Sequence, residues 1–361
     1  MRHALTEEQT WLGDAVAQAL ARHDTLRSAR VALDGEAPPS LWATAVGAGW
    51  PGLLSGEDAD GAALGALEAM LVVEGCGRHL ADARLLGHLP ATALAERTGD
   101  RSLRADLASG RMRGALVDGM ADGRRAPTVV ARGADSGLRL RGRVEWVLDA
   151  PDADVLAVCA EGEDGAPVAA LLDPGSPGVT VEPRDAYDAT RSLAHVVLDG
   201  APAERLAAGA AQVVTARHLQ RALLGAESLG AASACLDRAC DHARERVAFG
   251  RAIGSYQAIK HRLVEMLRRI ENARSLVFYA GWAWWSRPEE FALAANALLV
   301  GAGDALDLAS RESIFVHGGL GATWEHDCSL YYRRAELSRR LAGGADAAAD
   351  AVAEELLSGA R

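Results

Sequence analysis

The sequence predicts a mainly α protein with a central antiparallel β domain, set between an N-terminal helix bundle and a C-terminal four-helix bundle. Three observations predict it. Apolar residues recur at helical spacing through the first third. Short valine-rich segments parted by turn residues fill the middle. Helical spacing then returns near Glu204 and holds to the end. These changes divide the chain into an N-terminal helical domain, 1–111, a middle β domain, 112–203, and a C-terminal helical bundle, 204–361.

In the first domain Thr6 precedes Glu7 and Glu8 and can cap a helix whose apolar face carries Trp11, Leu12, Val16 and Leu20. Ser40 can cap the next helix, with Trp42, Val46 and Trp50 ahead of the Pro51-Gly52 break. A long pattern runs from about Ala62 to Glu74, where the glycines around Cys76 are expected to stop it. Another runs from about Ala81 to Ala95. Consecutive helices joined by short breaks make a bundle.

Past Met112 come VVARGA, LRLRGRVEWVLDA, DVLAVCA, PVAALLD, VTVEP and LAHVVLDG, with turns expected at Asp135-Ser136-Gly137 and Asp173-Pro174-Gly175. No helix-length pattern separates these strands, which excludes a Rossmann-type sheet and leaves an antiparallel barrel or sandwich. The last domain opens with a long helix carrying Val214, Leu219, Leu223, Leu229 and Cys235 inward. A second long helix begins after Ser255 and carries Ile259, Leu263 and Met266, continuing toward Trp282, Trp284 and Trp285. These tryptophans are expected in the core or a subunit interface. Pro288 can open the next helix, and a final one spans about Asp346 to Leu357.

Composition sets bounds on function. With 49% apolar and 24% charged residues, 361 residues suffice for a packed core. A net charge of −11 argues against nucleic acid as a partner. Five cysteines with no C-x-x-C pair suggest reduced thiols in the cytoplasm and argue against a structural metal site. The most membrane-like run, Phe291 to Ser310, is broken by Asp304 and Asp307 and is expected to be a bundle helix, so no membrane partner is expected.

The stretch RVAFGRAIGSYQAIKHRLVEM, Arg246 to Met266, carries the strongest functional signal. It is expected to join two long antiparallel helices by a loop loosened by Gly250 and Gly254. Arg246 and Arg251 stand near it, and glycines beside arginines at helix ends suit a phosphate. Gln257 opens the next helix with a donor and an acceptor. From pattern alone, a plain helix connection and a ligand site remain equally open.

The full string resembles the R-x-x-F-G-x-x-I-x-x-(F/Y)-Q-x-x-(K/R)-H segment of acyl-CoA dehydrogenases. In that family the Arg, Phe and Gln contact FAD bound mainly by a neighbouring subunit. The resemblance extends over nearly the whole chain. LRLRGRVEWVLDAPDADVLAV resembles the family's β-domain run, implying that Trp146 lies near the flavin, whereas strand core is its structural alternative. HGGLGATWEHDCSLYYRRAE resembles the Gly-Gly-x-Gly segment that approaches the FAD of the adjacent subunit, here Gly318, Gly319 and Gly321. The resemblance implies an acyl-CoA substrate, FAD as hydride acceptor, and a partner that is a paralogous acyl-CoA dehydrogenase subunit or a second copy.

The family reaction needs a carboxylate to take the α proton while FAD takes the β hydride. Its two usual positions correspond here to Ala342 and Gln220, neither of which is a base. Glu227, Glu325 and Asp327 are the remaining candidates nearby, and His326 is expected to be a hydrogen-bonded structural residue. The flavin cradle also departs from the family. No clear counterpart of its Thr-Glu-Pro…Gly-Ser strand stands between Gly114 and Gly133, Leu148 takes the place of a Thr, and Phe315 that of a Gln. No residue is therefore assigned as catalytic. Arg246, Phe249, Gln257, Gly318, Gly319, Gly321 and Trp146 are the predicted cofactor contacts, and the portion that reaches a neighbour's FAD is the better kept.

Overall fold

The computed structural model describes residues 4–36, 40–121, 126–133 and 137–358. Six helices come first: α1 (Glu7–Ala21), α2 (Thr25–Leu33), α3 (Trp42–Gly47), α4 (Ala66–His79), α5 (Leu85–Ala95) and α6 (Arg101–Ala108). Thr6 caps α1 as expected, in a reciprocal box with Gln9. Val16 and Leu20 are buried, but Trp11 is 64% exposed, so the apolar stripe of α1 is narrower than its sequence suggests. Ser40 Oγ accepts from the Trp42 N–H at 3.2 Å.

The glycines around Cys76 do not stop α4. The helix runs through them, Gly75 against Val16 of α1 and Gly77 against the neighbouring long helix, α7 (Ala210–Glu245). A Cβ added at Gly77 would stand 1.9 Å from Glu227 O, and one added at Gly230 would stand 1.9 Å from Glu74 O. Each helix thus lays a bare glycine against the other's backbone.

Strands β1 (Gly114–Asp118), β2 (Val129–Arg132), β3 (Arg139–Leu148), β4 (Val155–Gly162), β5 (Pro167–Leu172), β6 (Val179–Pro183), β7 (Leu193–Pro202) and β8 (Glu204–Arg205) form one sheet. Its order is β6-β7-β3-β2-β4-β5-β8, with β1 on β4. The sheet is mixed rather than wholly antiparallel, because β1 and β2 both run parallel to β4. The turn expected at Asp135-Ser136-Gly137 falls partly outside the described residues.

After α7 the stretch AFGRAIGS is a tight hairpin, β9 (Val247–Ala248) and β10 (Arg251–Ala252), rather than an open loop. The bundle then continues with α8 (Gln257–Ser286), α9 (Phe291–His317), α10 (Cys328–Ser338) and α11 (Ala345–Ser358). Val214 is only half-buried on α7, whereas Leu219, Leu223, Leu229 and Cys235 are buried. Trp282 and Trp284 pack on the core, while Trp285 is 67% exposed. The segment Pro288–His317 is long and apolar enough to cross a membrane, but it packs inside the bundle, against α7, α8, α10 and α11.

A buried cluster of charges ties the three regions together. Arg334 of α10 donates to Asp188, to Glu227 of α7 at 2.8 Å and to Thr190 Oγ1 at 2.6 Å. Arg191 also pairs with Glu227 and donates to Ser338 Oγ at 2.9 Å. Burial alone would raise the Asp188 pKa, but Arg334 and Arg191 outweigh it and hold that carboxyl below its ordinary range. Asp149 behaves oppositely. Burial, and then the neighbouring Asp82, push its carboxyl up to about 7, although it accepts the Gly87 N–H at 2.7 Å.

Two predictions follow from these contacts. Gly77→Ala and Gly230→Ala should each destabilise the fold by about 2 kcal/mol or more in urea melts. Gly303→Ala, where an added Cβ meets nothing within 4 Å, should be neutral or stabilising. Asp149 binds its proton more tightly folded than unfolded, where a carboxyl titrates at about 3.9. Its contribution therefore falls as pH rises from about 4 to about 7. Asp149→Asn should match the wild type at the acid end of that window and exceed it at the upper end, as read from urea midpoints.

Candidate active site and cofactor surface

The residues singled out by sequence fall into two groups. The first lines a cavity of about 410 Å³ between the sheet and the helical bundle, walled by Leu116, Trp146, Leu148, Gln220, Arg340 and Ala342. Gln220 and Ala342, the two positions that the family resemblance assigns to the base, thus face one cavity. Gln220 is buried, and its Nε2 donates to Leu86 O at 3.2 Å. The next residue, Arg221, donates to Ala342 O at 3.1 Å and to Asn296 Oδ1 at 2.7 Å, which links the two empty positions. Ala342 has a φ of 52° and begins a run of three positive-φ residues with Gly343 and Gly344.

Trp146 is not strand core. The β3–β7 register shifts between Val144 and Val147, and in this bulge Trp146 adopts a φ of 58°. Its N–H donates to His195 Nδ1 at 3.3 Å, its ring meets His195 edge-on, and its side chain is 40% exposed at the cavity. Bulges of this kind re-aim side chains, and alternation along a strand gives no sign of them.

Among the described residues the cavity walls carry two acids, Asp118 and Glu145. Asp118 Oδ1 is held by Arg217 Nε at 2.7 Å, and exposed Glu145 stands 3.5 Å from Arg143. Sequence reasoning missed Asp118 and Arg217. Arg217 lies one turn before Gln220 on α7, so helical spacing from the base position could have found it. The other carboxylates are engaged elsewhere or stand apart. Glu227 serves the buried arginines, Asp327 is bound by Arg30 and by Arg238 at 2.6 Å, and exposed Glu325 does not line the cavity.

The second group gathers at one end of the bundle. Arg246 follows α7, the hairpin turns at Phe249 and Gly250, and Gln257 opens α8. Phe249 is 98% exposed with a φ of 52°, and Gly250 has a φ of 81°. Such a two-residue turn favours Asn-Gly, so a phenylalanine there is strained and unburied at once. The glycine turn joins the same end. His242 of α7 stacks on His317 at 4.4 Å, and Arg262 of α8 pairs with Glu312 at 2.6 Å and covers the Phe315 ring at 3.7 Å. Gly318 has φ 62° and ψ −136°, and Gly319 has nothing within 4 Å of an added Cβ, so this backbone stands open. Gly321 instead packs on Ile314 and His317. Arg246, Gln257, Gly318 and Gly319 are exposed together with Leu320 and Trp324.

This architecture, with the arginine hairpin beside the glycine turn at one end of the bundle, is that of an acyl-CoA dehydrogenase, and the chain belongs to that family of FAD-dependent oxidoreductases. Residues 6–106 match the family's N-terminal domain and residues 207–357 its C-terminal domain. The chain is 31% identical over 344 residues to acyl-CoA dehydrogenase IpdE2 of Mycolicibacterium smegmatis, covering 94% of this chain and 96% of that one. Among solved structures it resembles the ChsE4–ChsE5 complex of Mycobacterium tuberculosis, with a TM-score of 0.88 and 26% identity over 99% of each chain. It also resembles a steroid enzyme of the same class, Tcur3481–Tcur3483, with a TM-score of 0.89 and 28% identity over 98% of this chain and 99% of that one.

The outward group suits the family's cofactor. An exposed guanidinium, an amide at a helix start and bare glycine backbone can hold the anionic and polar half of FAD. The inward cavity suits it less well, since the apolar Leu148 lines it where the resemblance implies a hydroxyl. Phe249→Asn should leave the urea midpoint unchanged or raise stability by about 1 kcal/mol, since Asn tolerates positive φ better.

Proposed function

We propose that this chain is the base-lacking subunit of a heteromeric acyl-CoA dehydrogenase, acting in α,β-desaturation of an acyl-CoA thioester. It completes an FAD site whose flavin cradle and catalytic carboxylate belong to a paralogous partner. One contrast carries this reading. Gln220 and Ala342 face a cavity whose acids, among the described residues, are Asp118, bound to Arg217, and exposed Glu145, while Arg246, Phe249, Gln257, Gly318 and Gly319 stand ready at the surface.

When bound, FAD accepts a hydride equivalent from the β carbon of the acyl group. The work of this chain is to hold the cofactor. Arg246 offers a planar fork to the pyrophosphate, Gln257 offers its amide to the polar half, and Gly318 and Gly319 let the backbone approach closely, while Gly321 packs inward on Ile314 and His317. Trp146 would stand near the flavin side of the chain's own cavity. A homo-oligomer would bring these contacts to cavities that all lack the base, which favours an unlike partner. Support also comes from the similarity to ChsE4–ChsE5 and Tcur3481–Tcur3483, each named as a pair of chains. Such an assembly would work in the cytoplasm, where five free thiols stay reduced.

The test is the visible spectrum. Purified alone, the chain should be colourless. Co-expressed with a base-bearing paralogue, it should yield a yellow complex that an acyl-CoA bleaches without oxygen. Arg246→Ala should weaken flavin retention by that complex at least about tenfold, the loss of one charge-assisted contact. A yellow lone chain bleached by substrate would overturn the proposal and leave a self-sufficient flavoenzyme. A chain that binds no flavin under either condition would leave a scaffold that kept only the fold.

A further inference from the structure

The glycine turn is bracketed by three groups that ligate soft cations. One ligand atom from each of His317, His326 and Cys328 lies within 4.8 Å of the other two. Two ligands sharing a tetrahedral zinc stand roughly 3.3 to 3.6 Å apart, given bonds of about 2.0 Å to nitrogen and about 2.3 Å to sulfur. Cys328 Sγ lies 3.5 Å from His317 Nδ1, which donates to Ser313 O and so leaves Nε2 as the ligating nitrogen of that ring. The His317 and His326 rings have centroids 4.4 Å apart, so small side-chain rotations close the set.

The surroundings favour a cation over a plain hydrogen-bonded cluster. Cys328 and His317 are buried and His326 half-buried, so the group is shielded on one side and reachable on the other. His317 Nδ1 meets Ser313 O at 2.7 Å, the type of outer contact that fixes a ligating imidazole. The remaining contacts are weaker. Cys328 Sγ lies 3.2 Å from Ser313 Oγ, and His326 Nδ1 accepts the Cys328 N–H at 3.3 Å. The nearest acid, Asp327, is already taken by Arg30 and Arg238.

We propose that His317, His326 and Cys328 form a binding site for a zinc-class divalent cation that clamps the glycine turn onto the end of the bundle. One thiolate and two imidazoles select such an ion over magnesium or calcium. The Cys328 thiol gives up its proton to water as its sulfur binds, so uptake strengthens as pH rises. Half-buried His242 stacks on His317 at the edge of the group. Residues 318 to 325 separate the two histidines, a spacing unlike short zinc motifs, and the glycine turn alone brings the ligands together.

The experiment is a Co²⁺ titration of the chelator-stripped chain, followed by displacement with Zn²⁺. It needs neither flavin nor a partner. The expected result is a thiolate-to-cobalt charge-transfer band with visible bands of tetrahedral intensity, saturating at one ion per chain and bleached by Zn²⁺. Cys328→Ser should abolish the charge-transfer band, and His326→Ala should weaken Co²⁺ affinity at least tenfold. Circular dichroism checks that both variants fold, and His326→Ala, at a half-buried position, still decides the matter if Cys328→Ser does not fold. Octahedral-type spectra alone, or unchanged affinity in folded His326→Ala, would overturn the proposal.

Discussion

Arg334 is the group on which the rest of the structure turns. Its guanidinium is 1% exposed and would be untenable there without full neutralisation. Asp188 in the segment between β6 and β7, Glu227 on α7, and Thr190 supply that neutralisation. Arg191 shares Glu227, and Asp82 and Arg84 lie along the same small void as these groups. N-terminal helices, sheet and bundle therefore meet on charges rather than on apolar surface alone. Such a seam adds little net stability, because desolvation cancels most of the attraction. It does penalise any arrangement that leaves one charge unpaired. The cavity walls come from the sheet, α7 and the segment after α10, so their mutual placement rests on this seam.

Much of the fold was legible because periodicity is a direct record of which side of an element faces the core. The two bundles and six of the strands follow from it. The first strand did not, because β1 is a short, nearly fully buried strand parallel to β4 and shows no alternation. Gly75 and Gly77 misled in the other direction. A glycine ends a helix when its backbone must change course, but here glycines inside α4 make room for neighbouring elements. The local string is the same in both cases, and only the partner distinguishes them.

The functional surface was legible to a different degree. Arg246, Phe249 and Gln257 announce themselves because their spacing is fixed by one hairpin and one helix start, both local in sequence. The cavity was visible mainly through what Gln220 and Ala342 lack. Asp118 and Arg217 come from distant elements, and nothing in the sequence pairs them. The aim of Trp146 depends on a bulge, and the meeting of His317, His326 and Cys328 depends on the path of the glycine turn. Long-range placement is set by tertiary packing, which no local pattern records.

The glycine contact between α4 and α7 acts as a key in a slot. A slip of one residue would turn α7 by about 100° and advance it by about 1.5 Å. Glu227 would leave Arg334, and a Cβ would meet a neighbouring backbone in place of Gly230. The phase of the whole helix is therefore locked at one point along its length. Gln220, in the cavity wall, and Arg246, at the hairpin, lie on either side of that point, about 39 Å apart along the helix axis. The spacing between the inward and outward surfaces of this subunit is thus set as if by a rigid ruler, held by two residues with no side chain at all.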